Sequence, residues 1–166
     1  MTKCSGFPPI IGNKPKVLIL GSMPGRQSIE EQRYYANPRN QFWNIIFAVI
    51  DVSCPTDYSQ RLKCLKKAGI AVWDVLATCE REGSLDSHIR EPEPNDFSGL
   101  FKQHPSIKLV VFNGTKATAL GKKLVRQSAP EGTVIKTMPS TSPVPAREVK
   151  TVDDKIQEWL IIREYL

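Results

Sequence analysis

The sequence predicts an α/β fold, a parallel sheet with helices on its faces, and three observations carry that reading. Short apolar runs recur at VLIL (17–20), IAVWDV (70–75), KLVVF (108–112) and TVIKTM (133–138). Segments with helical patterning fall between them. Glycine, proline and asparagine collect just after each run, so the special turns share one edge of the sheet. Open α/β sheets bind ligands at that carboxyl edge.

The elements follow in order. VLIL runs into the turn GSMPG (21–25), and Ser28 and Glu31 then have capping-box spacing for a first helix. A second helix takes up roughly 40–50, and a third covers about 58–68 with Gly69 as its C-cap. After strand 70–75 a long polar loop, TCEREGSLDSHIREPEP, leads to a helix capped by Asn95. Strand 108–112 ends at Asn113-Gly114 and enters a helix over 115–127. Strand 133–138 ends in PSTSPVPA, and an amphipathic helix, VDDKIQEWLIIREYL, follows. Gly21 to Gly25, Trp73 and Asp74, Asn113 and Gly114, and Pro139 to Pro145 therefore gather at one edge, together with the bend YYANPRN.

A chain of 166 residues, 40% of them hydrophobic, is enough for one domain with a real core, 1–166, in which 1–15 is expected to be a polar tail or loop. The 23 Lys and Arg against 17 Asp and Glu give a net charge of +6, which favours an acidic partner such as nucleic acid. Cys4, Cys54, Cys64 and Cys79 form no Cys-x-x-Cys pair, and neither His88 nor His104 stands at ligand spacing from them. Reduced structural thiols and no metal are expected. The first residues have no apolar leader region, and no window approaches the ~20 apolar residues that cross a bilayer, so an intracellular soluble protein is expected.

Four stretches carry chemistry. GSMPG after a strand is either a plain turn or an anion cradle; it lacks the Gly-Lys-Ser/Thr ending of a Walker loop. In YYANPRNQFW (34–43) Pro38 fixes a kink, Phe42 and Trp43 suit the core, and Asn40 reads as an N-cap. That leaves Tyr34 and Tyr35, flat rings beside free amides, which is what a nucleobase site requires. Asn113 is either a turn residue or a bidentate reader of the O6 and N1–H of hypoxanthine or the O4 and N3–H of uracil. In MPSTSPVPAR the hydroxyls and amides of Ser140, Thr141 and Ser142, beside Pro143, either form a surface turn or hold phosphates. Asp74, Arg81, Asp86 and His88 read as a salt-bridged lid in which no residue stands out as a base.

Together GSMPG (21–25), YYANPRNQFW (34–43), WDV and REGSLDS (73–87), VVFNG (110–114) and MPSTSP (138–143) resemble the uracil-DNA glycosylase superfamily, and within it family 6, the hypoxanthine-DNA or DNA-deoxyinosine glycosylases. The resemblance implies a three-layer sandwich around a four-stranded parallel sheet. It also implies a monofunctional, monomeric, cytoplasmic enzyme that flips a deaminated base out of DNA and hydrolyses its glycosidic bond without cofactor or metal. By the same resemblance Tyr35 stacks on the base and Asn40 is catalytic. Two departures matter: Ser22 stands where other branches carry a water-handling Asp or Asn, and the last motif lacks the His that stabilises a leaving uracil. Strong uracil activity is not expected, and water placement falls to Asn40, with Ser22 beside it. Backbone amides around Gly21 to Met23, or Asn113, are expected to stabilise the leaving base, with Pro24 and Gly25 completing the substrate-binding turn that Ser22 shares. The same fold acting on uracil or xanthine, and a non-catalytic damage-binding module, are the alternatives.

Overall fold

The computed structural model describes residues 2–143 and 150–166. In chain order the elements are β1 (Lys3–Ser5), β2 (Val17–Gly21), α1 (Arg26–Glu31), α2 (Phe42–Ile50), α3 (Tyr58–Ala68), β3 (Ile70–Asp74), β4 (Leu76–Glu80), β5 (Arg90–Pro94), α4 (Phe97–Gln103), β6 (Leu109–Asn113), α5 (Thr115–Ser128), β7 (Val134–Met138) and α6 (Val152–Trp159), which a 3-10 turn extends over Leu160–Tyr165.

Four strands form a parallel sheet in the order β3-β2-β6-β7. Central β2 is buried along its whole length, which is why VLIL is continuously apolar rather than alternating. Successive side chains point to opposite faces. Val17 and Ile19 join α2 residues Phe42, Ile45 and Ile46 and Trp159 in one core, while Leu18 and Leu20 join Phe97, Phe101, Ala117 and Val125 in the other. The result is three layers, helix on sheet on helix. Gly69 closes α3 in the left-handed conformation at φ 83°, as its position predicts.

Several expectations are corrected. The long polar loop contains β4 and β5, which pair antiparallel in a second sheet, order β1-β4-β5. Every residue of β5, REPEP, is exposed, so no apolar pattern marks it. The segment 1–15 is not a simple tail: it supplies β1, and Ile10 bridges to Val72. Helix α4 is capped by Asp96, whose carboxylate accepts from Gly99 N, while Asn95 donates to the backbone carbonyl of Asp74 at 2.8 Å. Ser28 lies inside α1 and caps nothing; its hydroxyl accepts from Ala36 N at 3.1 Å. Of the group Pro139 to Pro145, residues 144 and 145 lie outside the described residues.

Candidate active site at the sheet edge

The strand ends put the motifs side by side. Gly21, the last residue of β2, pairs directly with Asp74, the last of β3, and Asn113 at the end of β6 pairs with Met138 of β7. A Cβ on Gly21 would stand 2.6 Å from Asp74 Oδ1 and 3.0 Å from Tyr35 Oη, closer than packing allows for the carboxylate. Glycine is therefore required for the acid and the phenol both to lie against the strand end.

Tyr35 reaches that point because the bend turns through a left-handed residue, at φ 53°. Its ring stacks on Phe42, with centroids 4.0 Å apart and planes 12° from parallel. Phe42 and Trp43 are buried, as their core reading requires, and Tyr34 joins them, its hydroxyl donating to Pro8 O at 2.8 Å. Tyr34 is thus a core residue, and half-buried Tyr35 is the ring left at the edge.

In this structure the Asn113 carboxamide is engaged within the protein. Its Nδ2 donates to Tyr35 Oη at 3.2 Å and to Thr141 Oγ1 at 3.0 Å, while its Oδ1 accepts from Thr141 N at 2.9 Å. Both amide hydrogens are spent within the protein, so the residue clamps Tyr35 and the last loop to the sheet. Thr141 is fully buried and its carbonyl accepts from Gln41 N at 2.9 Å, which removes it from the predicted phosphate contacts. Ser140, Ser142 and Pro143 stay half-exposed beside it, and Ser140 Oγ accepts from Ser142 N at 3.1 Å.

The REGSLDS stretch closes over the GSMPG turn. Ser22 Oγ donates to Asp86 Oδ1 at 2.6 Å, Ser84 Oγ accepts from Arg26 N at 2.7 Å, and Arg81 Nη2 donates to Pro24 O. Gly25 occupies the N-cap of α1, but with the amide of Arg26 already bonded and only six residues in the helix, an anion cradle at this turn loses its basis. Met23 sends its side chain into the core. Arg81 is buried, and so is Asp74, whose Oδ2 has no hydrogen-bond partner among the described residues. Burial first, and then the negative charge of Asp86, push the Asp74 carboxyl up to about 7, against a partly opposing pull from Arg81. Burial, reinforced by Asp74, likewise pushes the Tyr35 phenol well above its ordinary range, so it stays neutral. His88 is exposed on the rim.

Asn40 sits on the other flank of the bend. Its Oδ1 accepts from Phe42 N at 2.9 Å, although the formal N-cap of α2 is Gln41. Its Nδ2 has no hydrogen bond among the described residues. Asn40 lines a cavity of about 340 Å³ with Tyr35, Asn37, Tyr58, Arg33 and Arg61. Gly21, Ser22, Asp74 and Asn113 do not line it, so Tyr35 is the wall between the cavity and the strand ends. Among the described residues no three of His, Cys, Asp or Glu converge in a cluster, and no helix is long and apolar enough to cross a membrane.

A sequence model of the Uracil DNA glycosylase superfamily matches residues 8–161. The chain belongs to the uracil DNA glycosylase superfamily. Within that superfamily it is 42% identical over 116 residues to a protein of Methanosarcina barkeri named "Hypoxanthine DNA glycosylase", covering 69% of this chain and 73% of the relative. A second protein of the same name, from Methanosarcina acetivorans, is 44% identical over 113 residues, 68% of this chain and 72% of the relative. The fold also matches a Methanosarcina acetivorans protein solved by solution NMR and provisionally described as a uracil DNA glycosylase, with a TM-score of 0.83 and 38% identity over 97% of this chain and 96% of that one. Sequence reasoning missed the buried state of Asp74 and Arg81 and the reach of Asp86 to Ser22, although WDV and REGSLDS, the stretches that hold them, were visible as motifs.

Proposed function

We propose that this chain is a monofunctional DNA glycosylase that flips hypoxanthine, the base of deoxyinosine, out of DNA and hydrolyses its glycosidic bond in base excision repair. The likeness to two relatives named hypoxanthine DNA glycosylase carries this reading. The site supports it chemically: half-buried Tyr35 stands between the turn that begins at Gly21 and a cavity lined by Asn40, a carboxamide with a spare donor. We take the whole chain to act as one catalytic domain, as a monomer, in the cytoplasm where it meets DNA.

The reaction needs little proton chemistry at the water. As the C1′–N9 bond lengthens, positive charge grows on the sugar and negative charge on the purine, so preorganised dipoles near each end lower the barrier. Tyr35 stacks on the flipped base, and the Phe42 ring behind it holds its plane. Asn40 Nδ2 orients the water, because the contact to Phe42 fixes the carboxamide through its oxygen and leaves the nitrogen free to act. Ser22 is held in one rotamer by Asp86 and lies at the turn that faces the departing base. Ser140, Ser142 and Pro143, half-exposed at the same edge, receive the DNA backbone.

Duplex oligonucleotides carrying hypoxanthine, xanthine or uracil, each incubated with purified protein and then cleaved with alkali, test the reading. Hypoxanthine should be released fastest and uracil slowest, since the last motif, MPSTSP, has no histidine to stabilise a leaving uracil. Faster release of uracil or xanthine would transfer the assignment to that base, and release of none, with lesion binding intact, would leave a damage-binding module.

A further inference from the structure

Asp74 is the one Asp or Glu among the described residues that is buried, at 4% exposure, and its Oδ2 has no partner. A buried carboxylate oxygen without a hydrogen bond is costly, and an apolar residue at the end of β3 would avoid that cost. The carboxylate does no visible structural work: Asn95 bonds to the backbone carbonyl of Asp74 and not to its side chain. What the side chain does have is place. Its Oδ1 and the Tyr35 hydroxyl both lie against Gly21, at the strand end where the flipped base is stacked in the reading given above, on which this inference rests.

The leaving purine carries negative charge, and nothing in the last motif answers it: Met138, buried among apolar neighbours, occupies the end of β7. We propose that Asp74 is the acid of this site, passing its carboxyl proton to the carbonyl oxygen of the base as the base departs. The bonds balance. The C1′–N9 bond breaks with its electron pair entering the purine ring, and the proton of Asp74 passes to O6. A water oxygen bonds to C1′, the water's surplus proton goes to solvent, and Asp74 takes a proton back from solvent.

The surroundings keep that proton available. Asp86 faces Asp74 from the loop that covers Ser22, Arg81 faces it from the end of β4, and the Tyr34 and Tyr35 hydroxyls face it from the bend. Burial and Asp86 hold the carboxyl up at about 7, with Arg81 opposing them. The neutral acid is therefore the working form, and it is lost as pH rises through about 7.

Single-turnover release of hypoxanthine by the full chain, followed from pH 5.5 to pH 8.5 for the parent and for Asp74→Asn and Asp74→Ala, decides the matter. The parent rate should be level at low pH and fall about tenfold per unit above about 7. Asp74→Asn, which keeps the shape and a donor but has no transferable proton, should be slower by roughly a hundredfold at pH 6 and lose that pH dependence. Lesion affinity, measured by fluorescence anisotropy on the same preparations, should stay within about threefold for Asp74→Asn, the signature of a transition-state effect. A parent rate that is flat or rises through pH 7, an Asp74→Asn enzyme as fast as the parent, or a slow one with the parent's pH profile would each overturn the proposal. A parent that releases no base from any lesion would overturn the glycosylase reading instead.

Discussion

Ser22 Oγ and Asp86 Oδ1 lie 2.6 Å apart although 64 residues separate them in the chain, and this contact joins the first motif to the loop after β4. A hydrogen bond to a charged carboxylate is worth about 1.5–3 kcal/mol, enough to fix the turn in one form. In a double-mutant cycle of Ser22→Ala and Asp86→Asn, the two singles should each lose stability, and the double should lose less than their sum by about 1–2 kcal/mol. Urea unfolding of the four proteins measures the coupling; strict additivity would show that the pair does not act as a unit.

Asp74 should trade stability for activity in a pH-dependent way. Its folded pKa, raised to about 7, lies above the unfolded carboxylate value of about 3.9, so its favourable contribution is present below about 4 and is lost as pH rises through about 7. Asp74→Asn should consequently melt above the parent at pH 8, and the two melting curves should converge as pH falls toward 4. An asparagine variant that melts below the parent at pH 8 would mean that the ionised carboxylate is stabilised by contacts of its own.

Gly21→Ala should be harmful out of proportion to one methyl group. The added carbon meets Asp74 Oδ1 at 2.6 Å and Tyr35 Oη at 3.0 Å, so one of the two must retreat. Overpacking of this kind costs about 1–3 kcal/mol, and excision should fall as well because both groups belong to the site. Thermal melting and single-turnover release on one preparation report the two losses separately.

Asn40 combines a structural and a chemical contact, and substitutions can separate them. Asn40→Ala removes both the acceptor for Phe42 N and the amide donor, so it should lose about 1 kcal/mol of stability and roughly a hundredfold or more in release rate. Asn40→Ser retains an acceptor of similar reach and should recover most of the stability without recovering the rate. Full activity in the destabilised alanine variant would reduce Asn40 to a cap.

Tyr35 should be read from three proteins compared for lesion affinity. Tyr35→Ala removes the stacking surface and should weaken lesion binding by about 1–3 kcal/mol. Tyr35→Phe keeps the stack on Phe42 but leaves one hydrogen of Asn113 Nδ2 without its acceptor, so its effect on binding should be mild and its effect on stability on the order of 1 kcal/mol. Equal binding losses in both would place the hydroxyl, not the ring, against the base.

The sequence by itself determined the layered sheet and the edge at which the motifs meet. Buried parallel strands must be apolar throughout, and their connections must be punctuated by glycine, proline and asparagine, so VLIL, KLVVF and the turns after them were legible from residue types alone. It also determined that Phe42 and Trp43 belong to the core, since both rings sit on the apolar face of a helical period. Tertiary structure decided the rest. REPEP is a strand only because β4 offers it backbone partners, and β1 is a strand for the same reason; backbone hydrogen bonds of that kind leave no mark on side-chain pattern. That the Asn113 carboxamide bonds to Thr141 and Tyr35 was likewise invisible in the sequence, since both partners come from distant segments. Asp74 was one acid among several until β2, the bend and the loop carrying Asp86 buried it, because a carboxyl group's charge state depends on the water and charges around it, and those come from residues distant in the chain.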